Sequence, residues 1–169
     1  MTEKKRNFFI FLINAFVFCI LLIFHYCDFL SIKIFYANPF VPLAFLVAVS
    51  MYCREISAFF SGLAVGVAAD TDAATSFGFN SITLMIIGVT VAFVVHYLFN
   101  NNIRSCIALG LISSIFYFLL RFLFFNAFDA EINSALSYLL TVSLPSVIYT
   151  SVFTVPFYYF EKFIYKRIA

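Results

Sequence analysis

The chain has 169 residues, of which 64% are hydrophobic and 11% charged, with a net charge of +2 and a mean hydropathy of +1.06. Soluble domains carry about 25% charged residues, and ten basic plus eight acidic side chains cannot coat a soluble core of this size. This composition excludes an ordinary soluble domain and predicts an integral membrane protein. It is all-α, because backbone groups in hydrocarbon must be satisfied within each segment. Residues 1–169 read as a single transmembrane domain.

The basic start and apolar run of "MTEKKRNFFIFLINAFVFCILLIFHYC" resemble a signal peptide, but no small-x-small cleavage site follows. Phe24, His25 and Tyr26 before Cys27 are too bulky for lipoprotein processing, so the segment reads as an uncleaved first helix, 7–24. A second span covers 34–52, with Pro39 and Pro42 near its start, where proline is best tolerated. A third covers 56–69, a fourth 77–99, a fifth 103–125 and a sixth 136–160. Pro145 and Pro156 fall inside the sixth and are expected to bend it. Cys19, Cys27, Cys53 and Cys106 are isolated, form no ligand spacing, and read as small apolar helix residues.

Basic residues set the orientation. With the N-terminus in the cytoplasm, Lys4, Lys5, Arg6, Arg54, Arg104, Lys162, Lys166 and Arg167 all fall inside, and only Lys33 outside. Arg121 lies within the fifth span, the one intramembrane cation by this reading. Asp28, Asp70, Asp72, Asp129 and Glu131 fall on the outer side. The reading is therefore a bundle of six transmembrane helices with both termini cytoplasmic. The third span is short: at 1.5 Å per residue it reaches about 21 Å, against a hydrocarbon core of roughly 30 Å. A re-entrant loop there would reverse every later span and send Lys162, Lys166 and Arg167 outside, so a short crossing among shielding neighbours is preferred.

That third span is built from small residues. Ala58, Gly62, Gly66 and Asp70 recur every four positions and share one helical face. Gly62-x-x-x-Gly66 is the pattern that lets two membrane helices approach closely. Ser57, Ser61, Ala64 and Ala68 extend the smooth surface, which is expected to place this helix in the centre of the bundle. Asp70 ends the face at a helix C-terminus, where a negative charge is unfavourable. A compensating cation is expected, and Arg121 is the candidate for an ion pair with Asp70. Asp72 reads as more solvated. Thr75 or Ser76 is placed to cap the fourth helix, and Gly78 allows a tight entry into it. Arg54 and Glu55 mark the cytoplasmic turn before the third helix, a plausible docking point.

No catalytic constellation is legible. His25 and His96 fall on opposite membrane faces, and GxSxG, Walker, HExxH and GxGxxG patterns do not occur. No catalytic, cofactor or metal residues are assigned, and the expectation is a non-enzyme.

The segment "CREISAFFSGLAVGVAADTDAATSFGFNSITLMIIG" resembles the rod shape-determining protein MreD family. The features that carry the resemblance are a charged turn at Arg54, a short helix with Gly62 and Gly66 ending in Asp70, and a polar loop closing on Gly78. The similarity covers about forty residues; the rest agrees in length and hydropathy. Asp72 is not a family feature. The resemblance implies a non-enzymatic, multi-pass subunit of the bacterial cell membrane that supports cell shape and lateral peptidoglycan synthesis. Its implied partners are MreC and, through it, the actin-like MreB, RodA and a class B penicillin-binding protein, with no nucleic acid and no cofactor.

The alternative is the substrate-binding membrane subunit of an energy-coupling-factor vitamin importer, also a six-helix chain of this size. Its small-residue face on the first helix is poorly matched by Ala15 and Cys19 among four phenylalanines. Asn80, Ser81, Thr83 and Thr90 are its candidate pocket groups. A third class is a membrane enzyme acting on lipid-linked precursors, which turnover by the purified protein would reveal.

Overall fold

Each apolar run whose residues are described in the computed structural model forms a helix; the description covers residues 3–26, 40–70, 78–125 and 142–168. In chain order these are α1 (Glu3–Tyr26), α2 (Val41–Ser50), α3 (Glu55–Asp70), α4 (Phe79–Tyr97), α5 (Ile103–Phe125) and α6 (Leu144–Ile168). Among the described residues there is no strand, and every regular element is a helix. Helices Phe79–Tyr97 and Ile103–Phe124 are long and apolar enough to cross a membrane, and Ile10–Leu21 and Val41–Ser50 are shorter apolar helices.

Pro42 sits in the first turn of α2, where its missing N–H has no intrahelical partner to lose. Pro145 is the second residue of α6 and follows directly on the π-helical residues 142 and 143, while Pro156 lies in the helix interior. One detail departs from expectation: the helix continues to Ile168, past the expected end of the span, because helical hydrogen bonding does not stop where hydrophobicity does. Lys166 and Arg167 in its last turn complement the negative end of the helix dipole.

The centre of the bundle is α2, not α3. Every residue of α2 from Pro42 to Ser50 is buried, and this helix touches each of the other five. The reason lies on the back of α3, where Ile56, Phe60 and Val67 are exposed. The small-residue surface does not encircle the helix, and the side away from α4 carries this bulk. Val41–Ser50 presents apolar side chains in every direction and gains most from being surrounded.

Polarity is partly inverted relative to a water-soluble fold. Ser50, Ser114, Ser146, Thr150 and Thr154 are buried, while Ile112, Phe124, Ile148, Val152 and Phe163 point outward. On α6 the buried hydroxyls are satisfied locally: Ser146 donates to the Val142 carbonyl at 2.7 Å, Thr150 to the Ser146 carbonyl at 2.7 Å and Thr154 to the Thr150 carbonyl at 3.0 Å. At one end of the bundle the connecting turns are tied together. Asn101 Nδ2 donates to the Met51 carbonyl at 3.1 Å, Tyr158 donates to the Asn101 carbonyl at 3.3 Å, and the Cys53 thiol meets the Tyr165 hydroxyl at 3.5 Å.

Candidate functional site

The most extensive helix contact is between α3 and α4, and the four-residue pattern builds it. A Cβ added at Gly62 would lie 2.7 Å from the Leu84 carbonyl oxygen and 2.9 Å from the Met85 Cα. One added at Gly66 would lie 2.7 Å from the Asn80 carbonyl oxygen, with the Ser81 backbone closer still. One added at Gly88, from the opposite helix, would lie 3.0 Å from the Ala58 carbonyl oxygen. Four-residue steps along α3 are thus matched by steps back along α4, and both backbones run too close for side chains. Ala58, Gly62 and Gly66 share this contact as the spacing predicts, and the face is used inside the chain.

Asp70 closes the same face. It is 5% exposed. Its Oδ1 accepts the Asn80 N–H at 3.0 Å, and its Oδ2 accepts the Ser81 N–H at 2.9 Å and the Ser81 hydroxyl. These amides are the second and third of α4, which no earlier turn can satisfy. The residue before the helix, Gly78, has φ +95°, a left-handed conformation that a glycine adopts without strain, and offers no side chain. Asp70 thus caps α4 from the neighbouring helix, and Thr75 and Ser76, the expected capping residues, lie outside the described residues. Asp72 also lies outside the described residues.

Asn80 extends the junction to a third helix. Its Nδ2 donates to the Ala69 carbonyl at 3.4 Å, and its Oδ1 accepts the Tyr117 hydroxyl from α5 at 2.7 Å. The Tyr117 ring stacks on Phe40 at 4.7 Å between centroids, and Phe40 N–H donates to Thr150 of α6 at 3.1 Å. Arg121, one turn beyond Tyr117, is exposed and lies beside the Tyr117 hydroxyl. Asp70 and Arg121 form no ion pair among the described residues. The physical reason is that two α4 amides and a hydroxyl already satisfy the carboxylate, so it has no need of the cation. The positive charge that α3 cannot provide comes from the α4 dipole.

Arg54 and Glu55 stand at the other end of α3. Arg54 is exposed in the turn, its carbonyl accepting the Ala58 N–H at 2.9 Å, and Glu55 opens the helix, where an acid suits the dipole.

Sequence reasoning overlooked one buried polar pair. Asn14 of α1 donates to Glu161 Oε2 of α6 at 3.3 Å, and Glu161 is fully buried. The signal was present, an amide in the run "FLINAFVF" and an acid in "YYFEKF", since polar groups in such surroundings need partners. Of the pocket groups considered for an importer, Asn80 and Ser81 meet at Asp70, Thr83 is buried, and Thr90 donates to its own helix at the Ile86 carbonyl, 2.7 Å away.

Comparison with protein-family models, with curated proteins and with solved structures finds no match for this chain. The described residues define a helical protein with two helices long and apolar enough to cross a membrane and a glycine-lined helix pair capped by a buried aspartate.

Proposed function

We propose that this chain is a non-enzymatic, multi-pass subunit of the bacterial cell-elongation machinery, of the MreD type. It spans the cell membrane six times with both termini in the cytoplasm and holds MreC beside the wall-synthesis partners. The observation that carries the reading is the α3–α4 junction. The residues on which the resemblance rests, Gly62, Gly66, Asp70 and Gly78, act together as one packing and capping unit. A scaffold needs such a fixed helix pair, because it works by presenting a surface of constant shape. The outward-facing Ile112, Phe124, Ile148 and Phe163 around buried serines and threonines support placement in lipid. The ties joining Met51, Asn101 and Tyr158 support a common side for the basic ends.

An importer subunit would gather polar groups of α4 around its substrate, whereas Asn80 and Ser81 are spent on the junction. The test is copurification. The full chain, extracted in mild detergent with a tagged MreC homologue, is expected to remain bound through size-exclusion chromatography. A folded, monodisperse chain that never retains the homologue refutes the assignment.

A further inference from the structure

A groove of about 440 Å³ runs between α1 and α3 over the floor of α2, within the size range of small-molecule sites. Its lining recurs in four-residue steps on both walls, Ile10, Asn14 and Phe18 on α1 and Ser57, Ser61 and Val65 on α3, so the two helices follow it along its length. One end is polar, with the exposed Arg54 and Ser57. The other is apolar, where Phe18 stacks on Phe45 at 6.1 Å beside Ala64 and Val65. Between them stands Asn14, 7% exposed, whose Oδ1 has no hydrogen-bond partner while its Nδ2 is held by Glu161. Leaving a buried acceptor unpaired is costly, so this atom marks where a ligand's donor belongs.

The order along the groove is therefore cation, then lone acceptor, then apolar slot. From Arg54 to the level of Ser61 is about two helical turns, roughly 10 Å. We propose that the groove binds a monoacyl phospholipid: its phosphate at Arg54, its free glycerol hydroxyl donating to Asn14 Oδ1, and its single chain between Phe18 and Val65. A diacyl phospholipid esterifies that hydroxyl and has no donor at this depth, which separates the two classes chemically. The proposal rests on placement in lipid and not on the cell-elongation assignment.

The chain has no tryptophan, so one introduced residue reports alone. Phe18→Trp is placed in the groove and Ile112→Trp, on the 62% exposed outer position of α5, serves as the bulk-lipid control. Both full-length variants are reconstituted in phosphatidylcholine nanodiscs and titrated with chain-brominated monoacyl phosphatidylglycerol or its diacyl counterpart. Quenching of Phe18→Trp is expected to saturate, at a mole fraction about fivefold lower for the monoacyl lipid, the size of one neutral hydrogen bond. Ile112→Trp is expected to follow bulk composition without saturating. Ala64→Phe, which fills the slot, should abolish saturation at Phe18→Trp. Arg54→Gln, in the exposed turn and safe for folding, should weaken the monoacyl lipid several-fold. Equal or reversed preference between the two lipids overturns the proposal. So does non-saturating quenching at Phe18→Trp, or saturation that survives either Ala64→Phe or Arg54→Gln unchanged.

Discussion

Asp70 Oδ2 accepts the backbone N–H of Ser81 at 2.9 Å, so the last residue of one helix caps the first turn of the next. A carboxylate at the C-terminus of α3 is badly placed for its own helix dipole and well placed for that of α4. Because α3 and α4 are antiparallel and pressed together by glycines, the second effect acts at hydrogen-bond distance.

Removal of the carboxylate should therefore be felt at α4. Asp70→Ala leaves the buried Asn80 amide and the half-buried Ser81 amide unserved and is expected to lower stability by about 1–3 kcal/mol for each group left without a partner. Asp70→Asn, which keeps one acceptor, should fall between alanine and the parent chain. Thermal unfolding in detergent checks the order. Asp72→Ala is expected to change little, and a larger effect there than at Asp70 would overturn the assignment of the cap.

Close approach makes the glycines intolerant of even one carbon. At Gly66 and Gly62 the obstruction is backbone of α4, which cannot rotate away. Alanine is expected to cost about 1–3 kcal/mol as overpacking, and leucine to prevent folding. Gly110→Ala makes a useful contrast, since its new carbon would meet the Thr154 side chain at 3.0 Å rather than backbone. The melting temperature should fall clearly further for Gly66→Ala than for Gly110→Ala.

Charge neutralisation offers a third check. With the carboxylate serving α4 amides, Asp70→Asn and Arg121→Gln are expected to add independently, with coupling within about 0.5 kcal/mol. Tyr117→Phe and Asn80→Ala share a 2.7 Å hydrogen bond and should be coupled by about 0.5–1.5 kcal/mol. A double-mutant cycle that found strong Asp70–Arg121 coupling would restore the ion pair.

Cys53 sits in the turn between α2 and α3, where burial pushes its thiol above the ordinary value and the Tyr165 hydroxyl partly offsets this. Less thiolate at a given pH means slower alkylation. In a chain retaining only Cys53, maleimide labelling is expected to be about tenfold slower than at Arg54→Cys in the exposed neighbouring position. The gap should narrow as pH rises, and Tyr165→Phe should widen it.

Orientation can be read by membrane-impermeant labelling. Asp72→Cys should react in intact cells and Asn100→Cys only after permeabilisation. Labelling of position 72 from the cytoplasmic side would reverse the topology and remove the basis of the functional proposal.

Composition and periodicity carried the helices, because an apolar run needs only its own backbone to form one, and five of the six begin or end within a few residues of expectation where they are described. The four-residue spacing of Ala58, Gly62, Gly66 and Asp70 likewise fixed which residues share a face, since that is a property of helical geometry alone. Which surface that face would meet was not legible. Choosing α4 over another chain, α2 over α3 for the centre, and two α4 amides over Arg121 for the carboxylate depends on distances between segments far apart in sequence. Glu161 and Asn14 make the same point: 147 positions separate them, and only packing of the first helix on the last puts an acid and an amide within reach.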